Sequence, residues 1–343
     1  MRIAIVNDMP LAVEAMRRVV LHASAHSLAW IARDGAQAVE RCATDVPDLI
    51  LMDLIMPVMD GIEATRQIME KSPCAILIVT ASVGQNSAKV FEAMGAGALD
   101  TVRTPVLGAN NGNGAAALLY KIDSIGRLIG RHGAQDASQA TARPGTATPA
   151  VPLVAIGASA GGPAALASIL AALPRDFAAG IVVVQHVDAQ FVQGLANWLG
   201  TQSALPVRIA SEADQITPGT VLVAGGDDHL VFRDRVLLGY TNKPVECNYR
   251  PSVDVFFDSV ARLWRGRITA VLLTGMGRDG AAGLKTLREA GHHTIAQDRA
   301  SSAVYGMPKA AADLGAAAEV LSLEKIAPAL VRTFGQTSNN PSP

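Results

Sequence analysis

The 343-residue sequence is poor in cysteine: Cys42, Cys74 and Cys247 are its only three, and they lie far apart. An odd, scattered set does not make a disulfide framework, and without a CxxC pair it fits none of the common zinc spacings. A reducing, cytoplasmic compartment is the expectation. Long apolar runs are also missing. No stretch approaches the roughly 18 residues of a membrane span, and the apolar run in MRIAIVND (Met1–Asp8) is too short for a signal peptide. No direct insertion into a membrane is expected. Positive charge is not in excess, since 29 Lys and Arg face 30 Asp and Glu for a formal net charge of −1. That balance removes the electrostatic footprint of a nucleic-acid binder, so no nucleic acid is expected as a partner. No internal repeat recurs at a fixed period.

What is present is apolar. Half of the residues are hydrophobic and 17% are charged, enough for a large core, and the length favours two domains. The segment from Ala134 to Ala150, AQDASQATARPGTATPA, holds no large apolar residue and cannot offset its ordering entropy, so it reads as a flexible linker. Before it, Leu118, Leu119, Ile122, Ile125, Leu128 and Ile129 fall at helical spacing. On both sides of the linker short apolar runs alternate with helical patterns, which predicts two parallel α/β sheets. Expected strands are Ile3–Val6, Leu49–Met52, Ile76–Val79 and Ala98–Val102 in the first region. In the second they are Leu153–Ile156, Ile181–Val184, Val221–Ala224 and Thr269–Leu273. Around Gly225–Asp228 and Arg233–Arg235 tight turns between short antiparallel strands are expected, hence a small hairpin.

In open α/β sheets functional groups gather at the carboxyl ends of the strands. In the first region that edge collects Asn7 and Asp8, then Asp53, then Thr80. Each alone reads as a strand-end cap. Together, two carboxylates at one edge repel unless a cation lies between them, and all-oxygen ligands suit Mg²⁺. PDLILMDLIMPVMDG (Pro47–Gly61), with the acidic end of the first strand and IVTAS (Ile78–Ser82), resembles the receiver domain of two-component response regulators, over about residues 1–120. The resemblance implies a flavodoxin-like, CheY-like fold. It also implies that Asp53 accepts a phosphoryl group from a CheA-type histidine kinase, that Asp8 and Asp53 hold Mg²⁺, and that the Thr80 hydroxyl contacts the phosphoryl oxygens. Three positions depart from the pattern. Asn7 replaces a second acid, Thr104 replaces a lysine (with Arg103 beside it), and Thr101 replaces a switch aromatic.

The second region opens with IGASAGGPAAL (Ile156–Leu166). A dinucleotide fingerprint would need glycine where Ser159 stands, and the next strand, IVVVQH, ends in His186 instead of an acid. Gly157-Ala-Ser-Ala-Gly161 satisfies G-x-S-x-G, a strained turn that lifts a hydroxyl above a sheet edge. His186 ends an apolar strand on that same edge and can serve as its base. His292 and His293 precede their strand, and His229 follows a turn and reads as structural. AVLLTGMGRDGAAG (Ala270–Gly283) adds a strand and a glycine-rich turn with Asp279, the orienting acid, and with the Met276 N–H as an oxyanion donor.

IGASAGGPAAL, VVQHV (Val183–Val187), YRPSVDVFF (Tyr249–Phe257) and LLTGMGRDGAAG resemble the catalytic domain of the chemotaxis methylesterase family, CheB, over about residues 151–335. The expected organisation is a receiver at 1–120, a helix and linker at 121–150, a doubly wound, mostly parallel esterase domain at 151–335 and a disordered tail at 336–343. The resemblance implies hydrolysis of glutamate methyl esters on the cytoplasmic domain of a methyl-accepting chemoreceptor and deamidation of its glutamines, without a cofactor for the ester chemistry. It also implies a receiver that covers the esterase cleft until phosphorylated. Ala160 stands where relatives often have threonine. VNDMPLAVEAMRRVV and GALDTVRTPVLG further resemble the Wsp-type branch, which governs cyclic-di-GMP output. The competing expectation is a phosphorylation-switched binding module with an idle triad.

Overall fold

The computed structural model describes residues 1–23, 25–81, 83–105, 113–130, 151–247 and 249–334. The chain divides into two compact units, Met1–Gly133 and Ala134–Pro343. The expected linker at 134–150 and tail at 336–343 lie outside the described residues.

The first unit alternates strictly: β1 (Arg2–Val6), α1 (Pro10–His22), β2 (Ser27–Ala32), α2 (Gly35–Thr44), β3 (Leu49–Met52), α3 (Gly61–Lys71), β4 (Ala75–Thr80), α4 (Val83–Gly95), β5 (Asp100–Arg103) and α5 (Asn113–Gly130). The strands pair in the order β2-β1-β3-β4-β5, and every pairing is parallel. β3 is buried at all four positions, as a strand covered by helices on both faces must be, which is why its run LILM is unbroken. β2 gave no such signal. It is an edge strand of mixed exposure, and its sequence SLAWIA carries no clean period. The expected boundary at 120 falls inside α5. That helix is tied to the first unit by Lys121 Nζ on Asp100 Oδ1 at 2.6 Å and by His26 Nε2 on Asp123 Oδ1 at 2.8 Å.

The second unit runs β6 (Leu153–Ala158), α6 (Gly162–Ala171), β7 (Gly180–Gln185), α7 (Ala189–Gln202), β8 (Val207–Ile209), β9 (Val221–Val223), β10 (His229–Phe232) and β11 (Leu238–Thr241). It continues with α8 (Val253–Leu263), β12 (Ile268–Leu272), α9 (Ala281–Glu289), β13 (His293–Gln297), α10 (Met307–Asp313), β14 (Glu319–Leu321) and α11 (Leu323–Phe334). Seven strands form one parallel sheet, β14-β13-β12-β6-β7-β9-β8, while β10 and β11 pair as a separate antiparallel hairpin. The Arg233–Arg235 turn joins that hairpin as expected. Gly225–Asp228 does not lie between antiparallel strands: it carries the chain from β9, inside the parallel sheet, out to β10. From β6 the chain winds to β7 on one side and later returns to β12 on the other. The carboxyl ends of these three strands therefore flank the point where the winding reverses, the usual place for a site in such a sheet.

Helix α8 joins hairpin to sheet. Its Phe256 is fully buried, 6.3 Å from the Phe232 ring of the hairpin and 6.1 Å from Phe257, and Phe232 lies 5.0 Å from Trp264. This aromatic cluster fixes the start of α8 against the sheet edge. Phe256→Ala removes its centre, and the expected cost is about 3–5 kcal/mol. In thermal denaturation of the full chain the second unit should melt earlier and the first should be unmoved.

Candidate active site

Strand register brings two of the expected groups side by side. β6 and β7 pair Ala158 with Gln185, and the His186 N–H donates to the Ala158 carbonyl at 3.0 Å, so Ser159 and His186 leave adjacent strands at the same level. Ser159 N–H in turn donates to the Thr274 carbonyl just beyond β12, at 3.0 Å. The small residues around Ser159 answer to close approaches. A Cβ on Gly157 would stand 2.2 Å from Val253 Cγ1, one on Gly162 would stand 2.0 Å from Gln185 Oε1, and one on Gly275 would stand 2.8 Å from Ser159 Cβ. The expectation of a strained serine needs correction. Among the described residues only Val58 and Ala213 are non-glycine residues with positive φ, so Ser159 does not take the left-handed conformation. Gly161, at φ +73, takes the left-handed conformation and starts α6.

His186 Nε2 lies 2.8 Å from Asp279 Oδ2, with both side chains nearly buried. Burial acts to raise the Asp279 carboxyl, but the His186 ring and the donors around it outweigh this and hold it below the usual value. Those donors come from the start of α8. Asp279 Oδ2 also accepts from Val253 N at 2.7 Å, while Oδ1 accepts from Ser252 Oγ at 2.8 Å and Asp254 N at 3.1 Å. A helix N-terminus with unpaired N–H groups is a natural anion site, here filled by a side chain. An ionised Asp279 only accepts, so the proton of the neutral ring belongs on Nε2 and the lone pair on Nδ1. Nδ1 is buried and has no protein partner. Met276 follows Gly275 at the same edge, partly exposed.

Several neighbours lie inside the quoted motifs but carried no expected role. Gln185 Nε2 donates to the Ser159 carbonyl at 2.8 Å and to the His186 carbonyl at 3.0 Å, clamping the two turns together. The Tyr249 ring stacks on His186, centroids 4.4 Å apart and planes 2° from parallel. Thr274 Oγ1 donates to the Ala160 carbonyl at 2.9 Å. His229 bears out its structural reading: Nδ1 accepts from Ser252 N at 3.0 Å and Nε2 donates to the Pro244 carbonyl at 3.1 Å, which sets up the start of α8. His293 opens β13, at the opposite sheet edge. Tyr249 and Ser252 do lie within YRPSVDVFF, so the stretch was visible although their contacts were not.

The first unit builds a second site. Val6, Met52 and Ile78 share one level across β1, β3 and β4, which places Asn7, Asp8 and Asp53 just beyond it, with Thr80 ending β4. Asp53 is pushed up to about 6, first by burial, with the neighbouring Asp8 adding to it against the N–H groups of Leu54 and Ile55. Asn7 Nδ2 donates to Asp53 Oδ2 at 2.9 Å, a contact a second acid could not make. Thr101 is buried in β5 with an unpartnered hydroxyl, Arg103 is exposed, and the Thr104 N–H donates to the Thr80 carbonyl at 3.1 Å. The two carboxylates and the raised Asp53 fit a hard divalent cation that completes its shell with water and phosphate.

Comparison with known proteins finds a family for each unit. Residues 154–330 match the CheB methylesterase family and residues 3–109 the response regulator receiver domain. A Bordetella avium protein named protein-glutamate methylesterase/protein-glutamine glutaminase 1 is 59% identical over 99% of either chain. A Pseudomonas aeruginosa protein, the third of that name, is 56% identical over 97% of this chain and 100% of its own. The crystal structure of the Thermotoga maritima CheB methylesterase catalytic domain superposes with a TM-score of 0.51 at 38% identity, covering 53% of this chain and 97% of that one. The chain belongs to the CheB methylesterase family, with its esterase domain carried behind a response-regulator receiver domain.

Proposed function

We propose that the protein removes methyl groups from glutamate methyl esters on the cytoplasmic domain of a chemoreceptor, and deamidates glutamines there, through Ser159, His186 and Asp279. The His186–Asp279 bond carries this reading, because it leaves the unpartnered Nδ1 as the ring's basic atom on a residue whose backbone is bonded to Ala158, next to Ser159. Ser159 Oγ attacks the ester γ-carbonyl as its proton passes to His186 Nδ1. The charge that forms on the ring faces the ionised Asp279 and lies against the π-face of Tyr249. The oxyanion is met by backbone N–H groups of the glycine-rich turns, Met276 among them. The imidazolium then protonates departing methanol. Water, deprotonated by the same ring, releases the acyl group as free glutamate. With glutamine the leaving group is ammonia and the steps are otherwise the same.

Asp53 acts as the phosphoryl acceptor, fed by a CheA-type histidine kinase, with Thr80 on the phosphoryl oxygens and Asp8 and Asp53 as the carboxylates that hold Mg²⁺. When bound, that cation supplies neutralising charge for phosphoryl transfer. Phosphorylation relieves an inhibition of the esterase by the receiver. The protein works in the cytoplasm; among the described residues no helix is long and apolar enough to cross a membrane. The stretches VNDMPLAVEAMRRVV and GALDTVRTPVLG support a place in the Wsp-type, cyclic-di-GMP-linked branch.

Three outcomes are expected. Asp279→Asn lowers kcat for methanol release from methylated receptor about 10⁴-fold, some 5.5 kcal/mol of barrier, and Ser159→Ala lowers it at least as far. A small phosphodonor with Mg²⁺ raises methanol release by the full chain and leaves Asp53→Asn unaffected. The Mg²⁺ site has a thermal signature. An ionised Asp53 costs the folded unit stability as pH rises from its ordinary 3.8 through about 6. Mg²⁺ should therefore raise the melting temperature of the first unit at pH 7.5, and much less at pH 5, where Asp53 holds its proton.

A further inference from the structure

The acid that orients His186 sits on a turn, and a turn needs something to hold it. Asp279 immediately precedes α9, whose N-cap is Gly280, a residue with no side chain to satisfy the first N–H groups of that helix. The missing acceptor comes from α8. Asp254, in the first turn of α8, accepts from Gly283 N through Oδ1 at 2.7 Å, and the Gly280 N–H also faces its carboxyl. The two helix starts are thus cross-capped: Asp279, at the head of α9, binds the N–H groups of Val253 and Asp254 at the head of α8, and Asp254 returns the contact.

The backbone is shaped to allow this. A Cβ on Gly283 would stand 2.7 Å from Phe257 Cβ and 3.0 Å from the Asp254 carbonyl oxygen. A Cβ on Gly280, at φ +86, would stand 2.6 Å from both Val253 Cγ1 and Leu272 Cδ1. Two glycines at the head of α9 let it close onto α8 until the carboxylates reach across. The groups that face Asp254 are Asp279 from the turn before α9 and Asp258 from its own helix, both acidic. Burial, then the charge of Asp279, push the Asp254 carboxyl up to about 7. Near neutrality it therefore carries a proton much of the time and serves as a hydrogen-bond acceptor without placing a full second charge beside Asp279.

We propose that Asp254 is a positioning residue for the esterase: by capping α9 from α8 it locks the Asp279 turn in place and keeps Asp279 Oδ2 on His186 Nε2. The inference rests on the proposed Ser159–His186–Asp279 chemistry. It concerns where the acid is held, so it acts on the chemical step and leaves receptor binding alone.

The test compares Asp254→Ala with Asp254→Asn in the full chain by methanol release from a methylated receptor fragment. Ser159→Ala and Asp279→Asn are run alongside. Asp254→Ala should lower kcat about 10- to 100-fold, the scale of a misplaced group, with KM within about twofold of the parent. Asp254→Asn, which keeps an oxygen acceptor for Gly283 N, should recover kcat to within about threefold. Parental kcat in Asp254→Ala, or equal losses in both variants, overturns the inference, and a loss confined to KM does the same. If Asp254→Ala does not fold, hydrogen exchange in the unaltered chain decides: a protected Gly283 amide supports the cap and a freely exchanging one overturns it. Full activity in Ser159→Ala and Asp279→Asn would overturn the triad reading and this inference together. Inactive versions of those two beside a parental Asp254→Ala would remove this inference alone.

Discussion

One carboxylate organises the second unit. Asp279 accepts four hydrogen bonds, one from His186 and three from the start of α8. A buried carboxylate without such donors would take up a proton and could no longer fix the ring. Here His186 and the helix terminus together keep it charged, the charge sets the tautomer, and the tautomer decides which nitrogen is free. The N-terminus of α8 is therefore part of the esterase site, reaching the acid through two backbone N–H groups and the Ser252 hydroxyl. The aromatic packing of Phe256 and the His229 bridge to Ser252 hold that terminus at the strand edge.

The two units use the same sheet edge for opposite electrostatic ends. Asp53 is half-buried beside Asp8, and its carboxyl rises to about 6; Asp279 is buried against His186, and its carboxyl falls below the ordinary value. Burial alone would raise both. What separates them is the neighbour: His186 bonds to Asp279 and its charge favours the carboxylate, whereas Asp8 sets a like charge beside Asp53. An acid beside another acid is receptive to a cation, whereas an acid bonded to an imidazole and to a helix start serves to orient. Asn7 moderates the first case by giving Asp53 one amide N–H.

Close approach is the second constraint. Gly157, Gly162 and Gly275 each stand where a Cβ would collide with Val253, Gln185 or Ser159. These contacts draw β6, β7, β12 and α8 together around one hydroxyl. Gly161, Gly277 and Gly280 also take a left-handed backbone, so the glycine-rich turns answer both to crowding and to conformation.

Much of this was legible in the sequence. Continuous apolar runs marked the buried strands because such strands face helices on both sides. The strand-end positions of Asn7, Asp53, Ser159 and His186 followed from where those runs stop. Edge strand β2 was not legible, since a half-exposed strand has no such run, and neither was the head of α5, which blurred the first boundary. The contacts of Gln185, Tyr249, Ser252 and Asp254 were invisible because they join residues 26 or more positions apart, or rings on different loops. Residue types and strand ends thus determined which groups could take part. Which nitrogen of His186 is bound, and which helix holds Asp279, were decided only when distant backbone N–H groups met in the folded chain.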